Sequence, residues 1–242
     1  MFLSNLSRID LLSLLPKGGE VAEIGVAEGD FSRHIFTIAA PSRLHLIDPW
    51  EHQSRIDYQN DSYGNPPTDE QEVRFQKVLN SFILETKNGR IVIHRTYSTD
   101  AAAGFDENQF DWIYLDGLHS REGVAADLAA FKNKVKPEGF ILGHDYTNHS
   151  PAQQAGFGVV EAVNDFVSES EYHFLIMTME NFPTYVLTRT PESRPSQELV
   201  AKLMYHASWM VELRNFPEEG KKHQFQHKAI KVGDKVIAIP SF

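Results

Sequence analysis

The sequence predicts an α/β protein built on a doubly wound, mainly parallel sheet of seven strands. Short apolar runs alternate with segments of helical periodicity about five times, and two further apolar runs follow close together. A turn with two glycines joins the first apolar run to the first helix of this series. In open α/β sheets the ligand lies at the carboxyl ends of the strands, so we expect the binding site there.

The predicted elements follow the apolar periodicity along the chain. Apolar residues at positions 6, 9, 12 and 15 indicate a short amphipathic N-terminal helix, and the charges of Arg8 and Asp10 make it unlike a signal peptide. Helical periodicity is also found around residues 31–38, 70–84, 120–135 and 159–167. The predicted strands are 21–24, 44–48, 90–93, 110–115, 140–142, 172–177 and 184–187.

The chain is expected to form one main domain, residues 1–190, followed by an appendage, residues 191–242, that is not an independent domain. Residues 49–69 fit neither period and are predicted to be a long lid loop. In the appendage, residues 196–214 have helical periodicity, and Gly233-Asp234 lies between two apolar runs as a hairpin signal. The appendage has two alternative roles, covering the substrate or forming a contact in a homo-oligomer.

Composition excludes several classes of function. The 242 residues contain no cysteine, which excludes disulfides and thiolate catalysis and favours a cytoplasmic location. The formal net charge of −10 argues against a nucleic-acid partner. No apolar run is long enough to cross a bilayer, so no membrane association is expected.

The glycine turn has the sequence EIGVAEG and is surrounded by acids. Gly25 can adopt the positive φ of a tight turn, and Gly29 has no Cβ to block a ligand lying against the backbone. Glu23, Glu28 and Asp30 place three carboxylates near the helix N-terminus, where a dinucleotide fold binds its pyrophosphate. Carboxylates repel a phosphate but suit a ligand with an ammonium and a sulfonium group. The turn therefore favours S-adenosylmethionine.

Four of the predicted strands end in polar residues. Besides Glu23, these are Asp48, Asp116 and the pair His144-Asp145. Asp48 follows Gly25 by a little over twenty residues, the spacing at which an acid accepts the hydroxyls of a ribose. An NAD-dependent oxidoreductase also uses an acid there, but its G-x-G-x-x-G spacing is absent from this turn.

Three further motifs carry a resemblance to a known family. They are FDWIYLDGLHS at 110–120, KPEGFILGHDY at 136–146 and GVVEAVNDF at 158–166. With the glycine turn, they resemble the class I S-adenosylmethionine-dependent methyltransferases, which have a Rossmann-like fold. The branch that the sequence resembles contains small-molecule and sugar O-methyltransferases related to the macrocin and mycinamicin methyltransferases.

The resemblance implies a cofactor site on matching positions. Glu23, Gly25 and Gly29 would hold the methionine end of S-adenosylmethionine, Asp48 would bind the ribose, and Ser98 would lie near the adenine. The implied activity is methyl transfer to a hydroxyl of a small-molecule acceptor.

In the metal-using members, the resemblance also implies a divalent ion and a base. The ligands would be Asp116, His144 and Asp145, with His144 standing where those members have an acid, and His119 would be the base. Carboxylate oxygens suit Mg²⁺ or Ca²⁺, whereas an imidazole ligand favours Mn²⁺, Fe²⁺ or Zn²⁺. An ion would help because an alcohol has a pKa far above neutrality and a base alone deprotonates it poorly.

Other interpretations of these residues stay open at this stage. Asp116 is equally suited to capping a turn, and His119 to being a hydrogen-bonded loop histidine. The loop aromatics Trp50, Tyr58 and Tyr63 suit either a contact with ligand or anchoring of the loop. His144 in place of an acid also keeps open a methyltransferase-like binding protein without catalysis.

Overall fold

The computed structural model describes residues 1–54, 64–217, 226–233 and 235–241. The helices are α1 (Arg8–Leu14), α2 (Asp30–His34), α3 (Thr68–Ser81), α4 (Ile83–Lys87), α5 (Ser98–Ala103), α6 (Arg121–Phe131), α7 (Ser150–Gln154), α8 (Val159–Glu169) and α9 (Arg194–His206). A π-helical turn, Ile35–Ala39, follows α2. The strands are β1 (Phe2–Ser4), β2 (Glu20–Ile24), β3 (Arg43–Asp48), β4 (Ile91–Arg95), β5 (Phe110–Leu115), β6 (Val135–Gly143), β7 (His173–Thr178), β8 (Tyr185–Thr188), β9 (Met210–Glu212), β10 (Gln226–Val232) and β11 (Lys235–Ser241).

The central sheet has the strand order β4-β3-β2-β5-β6-β8-β7-β1-β9. Strands β2 to β6 pair in parallel, and β8 is antiparallel to both of its neighbours, β6 and β7. The predicted doubly wound, mainly parallel sheet is confirmed. The predicted number of seven strands is too low, because β1 and β9 extend the sheet at one edge. Each has only three residues, too few to show a periodic pattern.

The sheet is buried on both faces, which is why its strands are apolar runs. Successive residues of a strand point to opposite faces, and β5 shows this clearly. Ile113 and Leu115 belong to one core cluster, and Trp112 and Tyr114 to the other. All four are buried. The first cluster contains the apolar residues of α6 and α8, and the second those of α1 and α9.

The N-terminal segment begins with β1 and continues into the predicted helix. Ser7 caps α1, since its hydroxyl accepts from the backbone N–H of Asp10 while the Asp10 carboxylate accepts from the N–H of Ser7. β1 pairs in parallel with β7. These contacts hold the start of α1 beside the carboxyl ends of the strands.

The segment after residue 190 differs partly from the prediction. Its helix ends at His206 and not at residue 214, because the chain turns into β9, which pairs with β1. The predicted hairpin is confirmed by the antiparallel pairing of β10 with β11. Asp234 lies outside the described residues. The domain boundary at residue 190 stays a prediction.

The long loop at 49–69 is described only in part. Residues 55–63, with Tyr58 and Tyr63, lie outside the described residues, and α3 begins at Thr68. Among the described helices, none combines the length and the hydrophobicity needed to cross a membrane.

The packing of α9 against the sheet yields a stability prediction. Leu203 is fully buried, whereas its neighbour Met204 is 64% exposed. We expect Leu203→Ala to lower the free energy of unfolding by about 2–5 kcal/mol, because it leaves a cavity. Met204→Ala should change the same quantity by less than about 0.5 kcal/mol. Urea unfolding followed by circular dichroism measures both values, and equal small effects would contradict the packing of α9.

Candidate active site

A cavity of about 540 Å³ lies at the carboxyl ends of β2, β3, β5 and β6. The polar residues that end these strands are brought together around it. Those lining the cavity are Glu23, Gly25, Asp48, Asp116, His144 and Asp145, together with Ser98 and His119 from neighbouring segments.

The turn after β2 packs directly against the end of β5. Gly25 has a φ of 85°, in the left-handed region that favours glycine. A Cβ at this position would lie 2.1 Å from the carbonyl oxygen of Asp116. The backbone N–H of Asp116 donates to the carbonyl of Ile24 at 2.8 Å, and that of Gly25 donates to the carbonyl of Ile47 at 3.0 Å. Gly25 therefore permits the close spacing of three strand ends.

Gly29 is not among the residues that line the cavity. Its φ is 78°, and a Cβ would lie 3.1 Å from Cγ2 of Val78 and 3.4 Å from Cε2 of Phe82. The absent side chain thus leaves room for α3 and the residue after it. This packing is the physical reason for glycine at this position.

Asp48 connects the end of β3 to the glycine turn. Its Oδ2 accepts from the backbone N–H groups of Val26 at 2.9 Å and Ala27 at 3.0 Å, and its Oδ1 accepts from that of Trp50 at 2.7 Å. Burial raises the pKa of Asp48, and these hydrogen bonds oppose that rise. An ionised carboxylate has about four acceptor sites, so a ligand hydroxyl still finds one.

Trp50 anchors the first part of the long loop. Its side chain is almost fully buried and packs against Phe75 with ring centroids 5.0 Å apart. The indole N–H donates to the carbonyl of Ala27 at 2.8 Å. Of the two roles left open by the sequence, the anchoring role fits Trp50.

Glu23 is a buried carboxyl group that faces the cavity. It is 1% exposed and accepts a short hydrogen bond from the hydroxyl of Ser32. Burial raises the pKa of Glu23 to about 8, and the charges of Asp116 and Asp48 contribute to the rise. A cation beside Glu23 would offset this cost and favour its ionised form.

The two other acids of the glycine turn have a cationic partner. Lys77 of α3 places Nζ 2.5 Å from Oε2 of Glu28 and 3.5 Å from Oδ1 of Asp30. The carboxylates predicted to crowd the start of α2 are therefore neutralised in part. Glu23 is the acid of this group that lies buried against the cavity.

Ser98 begins α5 and contacts an acid that sequence reasoning missed. Its hydroxyl donates a short hydrogen bond to Oδ1 of Asp127 on α6. Burial raises the pKa of Asp127 to about 6, and the Ser98 hydrogen bond opposes that rise. Asp127 lies eleven positions after Asp116, inside a helix with apolar periodicity, so only the approach of α6 to α5 reveals it.

Two acids and two histidines form a compact cluster at the ends of β5 and β6. Nε2 of His119 lies 2.8 Å from Oδ2 of Asp145 and 3.7 Å from Oδ1 of Asp116. Nδ1 of His144 lies 3.1 Å from Oδ1 of Asp145 and 3.7 Å from Oδ1 of Asp116. One ligand atom from each of Asp116, His144 and Asp145 lies within 4.8 Å of the other two.

The charges of this cluster stabilise one another. Burial by itself lowers the pKa of His144, but the charge of Asp116 and hydrogen bonds with Asp116 and Asp145 outweigh it and raise the pKa to about 9. Burial also opposes ionisation of Asp116, yet His144 and His119 hold its pKa well below the usual range. The pKa of Asp145 is lowered against burial by hydrogen bonds with the same two histidines. The cluster thus alternates carboxylates with imidazoles that can carry positive charge.

Asp145 has a left-handed backbone conformation, with a φ of 58°. This conformation is uncommon outside glycine, although Asp and Asn tolerate it better than other residues. The N–H of Tyr146 donates to the carbonyl of Pro183 at 3.0 Å and supports the turn after β6. The turn positions the Asp145 carboxylate between His119 and His144.

Three residues of the cavity wall carry no motif in the sequence. Arg8 of α1 places Nη1 3.2 Å from Oδ2 of Asp116. Phe157 stacks on the ring of His119 with centroids 4.5 Å apart, and Phe182 lies 6.4 Å from the ring of His144. Each comes from a segment between or before the predicted strands, so its position depends on the tertiary fold.

Comparison with known proteins identifies the family. A family model described as a methyltransferase domain matches residues 22–146, more than half of the chain. The chain therefore belongs to this family of methyltransferase domains. No match to the sequence is found among curated proteins.

Solved structures show the same fold. A spermidine synthase from Thermotoga maritima aligns with a TM-score of 0.51 and 14% identity, over 88% of this chain and 67% of that chain. A putative rRNA-methylase from Clostridium thermocellum aligns with a TM-score of 0.50 and 9% identity, over 74% of this chain and 94% of that chain. At these identities the likeness concerns the fold alone.

The raised pKa of Glu23 makes stability depend on pH. The folded state binds the proton more tightly than the unfolded state, so stability is fully present below a pH of about 4.5 and is lost as the pH rises towards 8. The loss between pH 4.5 and pH 7 is on the order of 3 kcal/mol. Because Gln carries no charge, Glu23→Gln should gain stability over the wild type as the pH is raised.

Thermal melts of both proteins between pH 5 and pH 8.5 measure this difference. Glu28→Gln is the matched control, since Glu28 is a partly exposed acid of the same turn that pairs with Lys77. Its difference from the wild type should stay constant over this range. A constant difference for Glu23→Gln as well would contradict the perturbed pKa.

Proposed function

We propose that this protein transfers the methyl group of S-adenosylmethionine to a hydroxyl of a small-molecule acceptor. Membership of the methyltransferase family supports the reaction class. The observation that carries the proposal is a single cavity lined at once by Glu23, Gly25 and Asp48 and by the cluster of Asp116, His119, His144 and Asp145. The first set suits the cofactor, and the second suits deprotonation of a hydroxyl.

The residues present fit S-adenosylmethionine. Glu23 is a buried acid whose proton is easily displaced by the ammonium of the methionine end, and Gly25 lies beside it. Asp48 retains an acceptor site for the ribose, and Ser98 and Asp127 lie together for the adenine end. When bound, S-adenosylmethionine supplies an electrophilic methyl group on a positively charged sulfur.

His119 is the proposed base. Its Nε2 lies 2.8 Å from Asp145, so the carboxylate orients the ring and would stabilise the imidazolium formed when the acceptor loses its proton. Phe157 stacks on the ring of His119 and restrains it. These contacts fit a general base better than an isolated loop histidine.

The residues also fit a divalent cation. Asp116, His144 and Asp145 offer two carboxylates and one imidazole at separations suited to a shared ion. An imidazole with two carboxylates favours Mn²⁺, Fe²⁺ or Zn²⁺ over Mg²⁺. A bound ion would supply positive charge that stabilises the alkoxide of the acceptor.

The acceptor class rests on the sequence and on charge. The resemblance to macrocin and mycinamicin methyltransferases favours a sugar or natural-product hydroxyl. The fold itself does not decide, since it is shared by a spermidine synthase and a putative rRNA-methylase. The net charge of −10 favours a small molecule over a nucleic acid. A cytoplasmic location and a homo-oligomeric state are also part of the proposal.

Ligand binding tests the proposed cofactor against the NAD alternative. We expect S-adenosylhomocysteine to raise the melting temperature in a concentration-dependent way and NAD to leave it unchanged, since the family match favours a methyltransferase. Glu23→Gln should weaken the binding of S-adenosylhomocysteine by roughly 10-fold or more, because it removes the counter-charge of the ammonium. Stabilisation by NAD alone would refute the proposal.

Turnover and metal binding test the cluster. With a panel of hydroxylated acceptors, we expect His119→Ala to lower kcat by roughly 10²–10⁴-fold, because it removes the base.

Asp145→Asn should weaken Mn²⁺ binding, measured by electron paramagnetic resonance, by at least about 10-fold. Glu122→Gln is the control, since Glu122 is an exposed acid on the rim of the same cavity.

The outcomes separate the parts of this proposal. Unchanged turnover in His119→Ala would exclude this histidine as the base. Turnover that survives a chelator, together with no Mn²⁺ signal change, would exclude the ion while leaving the base in place. No turnover with any acceptor, despite binding of S-adenosylhomocysteine, would favour a binding protein without catalysis.

A further inference from the structure

Arg8 is the arginine that the N-terminal segment places in the cavity wall. Its guanidinium lies 4.6 Å from the centroid of the Phe31 ring and donates from Nη1 to Oδ2 of Asp116 at 3.2 Å. Its backbone N–H donates to Oε1 of Glu180 at 2.7 Å, which fixes the start of α1. Arg8 lies outside the residues matched by the family model, 22–146.

The acids around the cavity explain why a positively charged side chain is needed to bind the carboxylate of the methionine moiety. A methionine moiety carries an ammonium and a carboxylate, and Glu23 suits the ammonium. The carboxylate must then lie in a cavity that Asp48, Asp116 and Asp145 also line, and their negative charges would repel it. A guanidinium has five N–H donors in a planar fork, and one of them on Asp116 leaves others for a second carboxylate.

Other basic side chains near the glycine turn are already paired with acids. Arg74 lies 3.3 Å from Glu70 and 4.0 Å from Glu28. Lys77 pairs with Glu28 and Asp30. Arg8 is also paired with an acid, Asp116, but it lines the same cavity as Glu23, and its charge opposes the rise that burial causes in the pKa of Glu23.

We infer that Arg8 binds the carboxylate of the methionine moiety and makes the site selective for a cofactor that carries it. This inference rests on the proposed function. Together, Glu23 and Arg8 would recognise the two charges of an α-amino acid from opposite sides, one from β2 and one from α1. The N-terminal segment would then contribute directly to cofactor selection.

Two ligands that differ by one carboxylate test the inference. S-adenosylhomocysteine has it, and S-adenosyl-3-thiopropylamine is the same thioether without it. We expect the wild type to bind S-adenosylhomocysteine at least about 10-fold more tightly, as measured by calorimetry. Arg8→Gln should weaken its binding by roughly 10- to 100-fold and change that of the decarboxylated ligand by less than about 3-fold.

Two further variants control for charge and structure. Arg8→Lys keeps the positive charge but loses the planar set of N–H donors. Its preference for S-adenosylhomocysteine should therefore lie between that of the wild type and that of Arg8→Gln. Lys77→Gln removes a positive charge beside the same turn and should affect both ligands equally and by less than about 3-fold.

Each outcome has a distinct meaning. If the wild type binds both ligands equally, or if Arg8→Gln weakens both equally, the inference is wrong and Arg8 acts only on Asp116. If Arg8→Gln fails to fold, equal binding of both ligands by the wild type still overturns the inference, and Arg8→Lys tests the residue itself. Failure of the wild type to bind either ligand would instead refute the proposed function.

Discussion

The close contact between the turn after β2 and the end of β5 is the constraint on which the site depends. Gly25 lies against the carbonyl of Asp116 at a distance that no side chain allows. The contact places the glycine turn beside the cluster of acids and histidines at the ends of β5 and β6. Methyl transfer requires the donor and the acceptor oxygen to meet in line, so this spacing links the fold to the proposed chemistry. A Cβ at residue 25 would therefore separate the turn after β2 from the end of β5.

The sheet collects many acids at one edge, and the structure balances them in three ways. Asp48 accepts three backbone hydrogen bonds, Glu28 and Asp30 pair with Lys77, and Glu23 favours its protonated form. The sequence indicated the acids of the glycine turn but not their partners, because Lys77 is distant along the chain. The balance leaves Glu23 as the acid whose ionisation a bound cation would favour.

Much of the fold and part of the site follow from the sequence. The seven predicted strands are present, and the polar residues at their ends surround one cavity, because parallel strands bring their carboxyl ends to one edge. The short strands β1 and β9 were missed, since three residues show no period. Arg8 and Asp127 were missed because each lies in a helix whose pattern only indicates burial. Gly29 was predicted to leave room for a ligand, but the space beside it is occupied by Val78 and Phe82, so its missing Cβ serves the packing of α3.

Part of the cavity wall comes from outside the segment that defines the family. Phe157 precedes α8 and stacks on His119, and Phe182 lies between β7 and β8 beside His144. Arg8 reaches the same cavity from α1, whose position depends on the pairing of β1 with β7. Residues 22–146 therefore define the family, whereas the elements before and after them complete the wall of the cavity. Under the proposed function, divergence in the segments that carry Phe157 and Phe182 would change the acceptor, whereas divergence in α1 would change the contact of Arg8 with the cofactor.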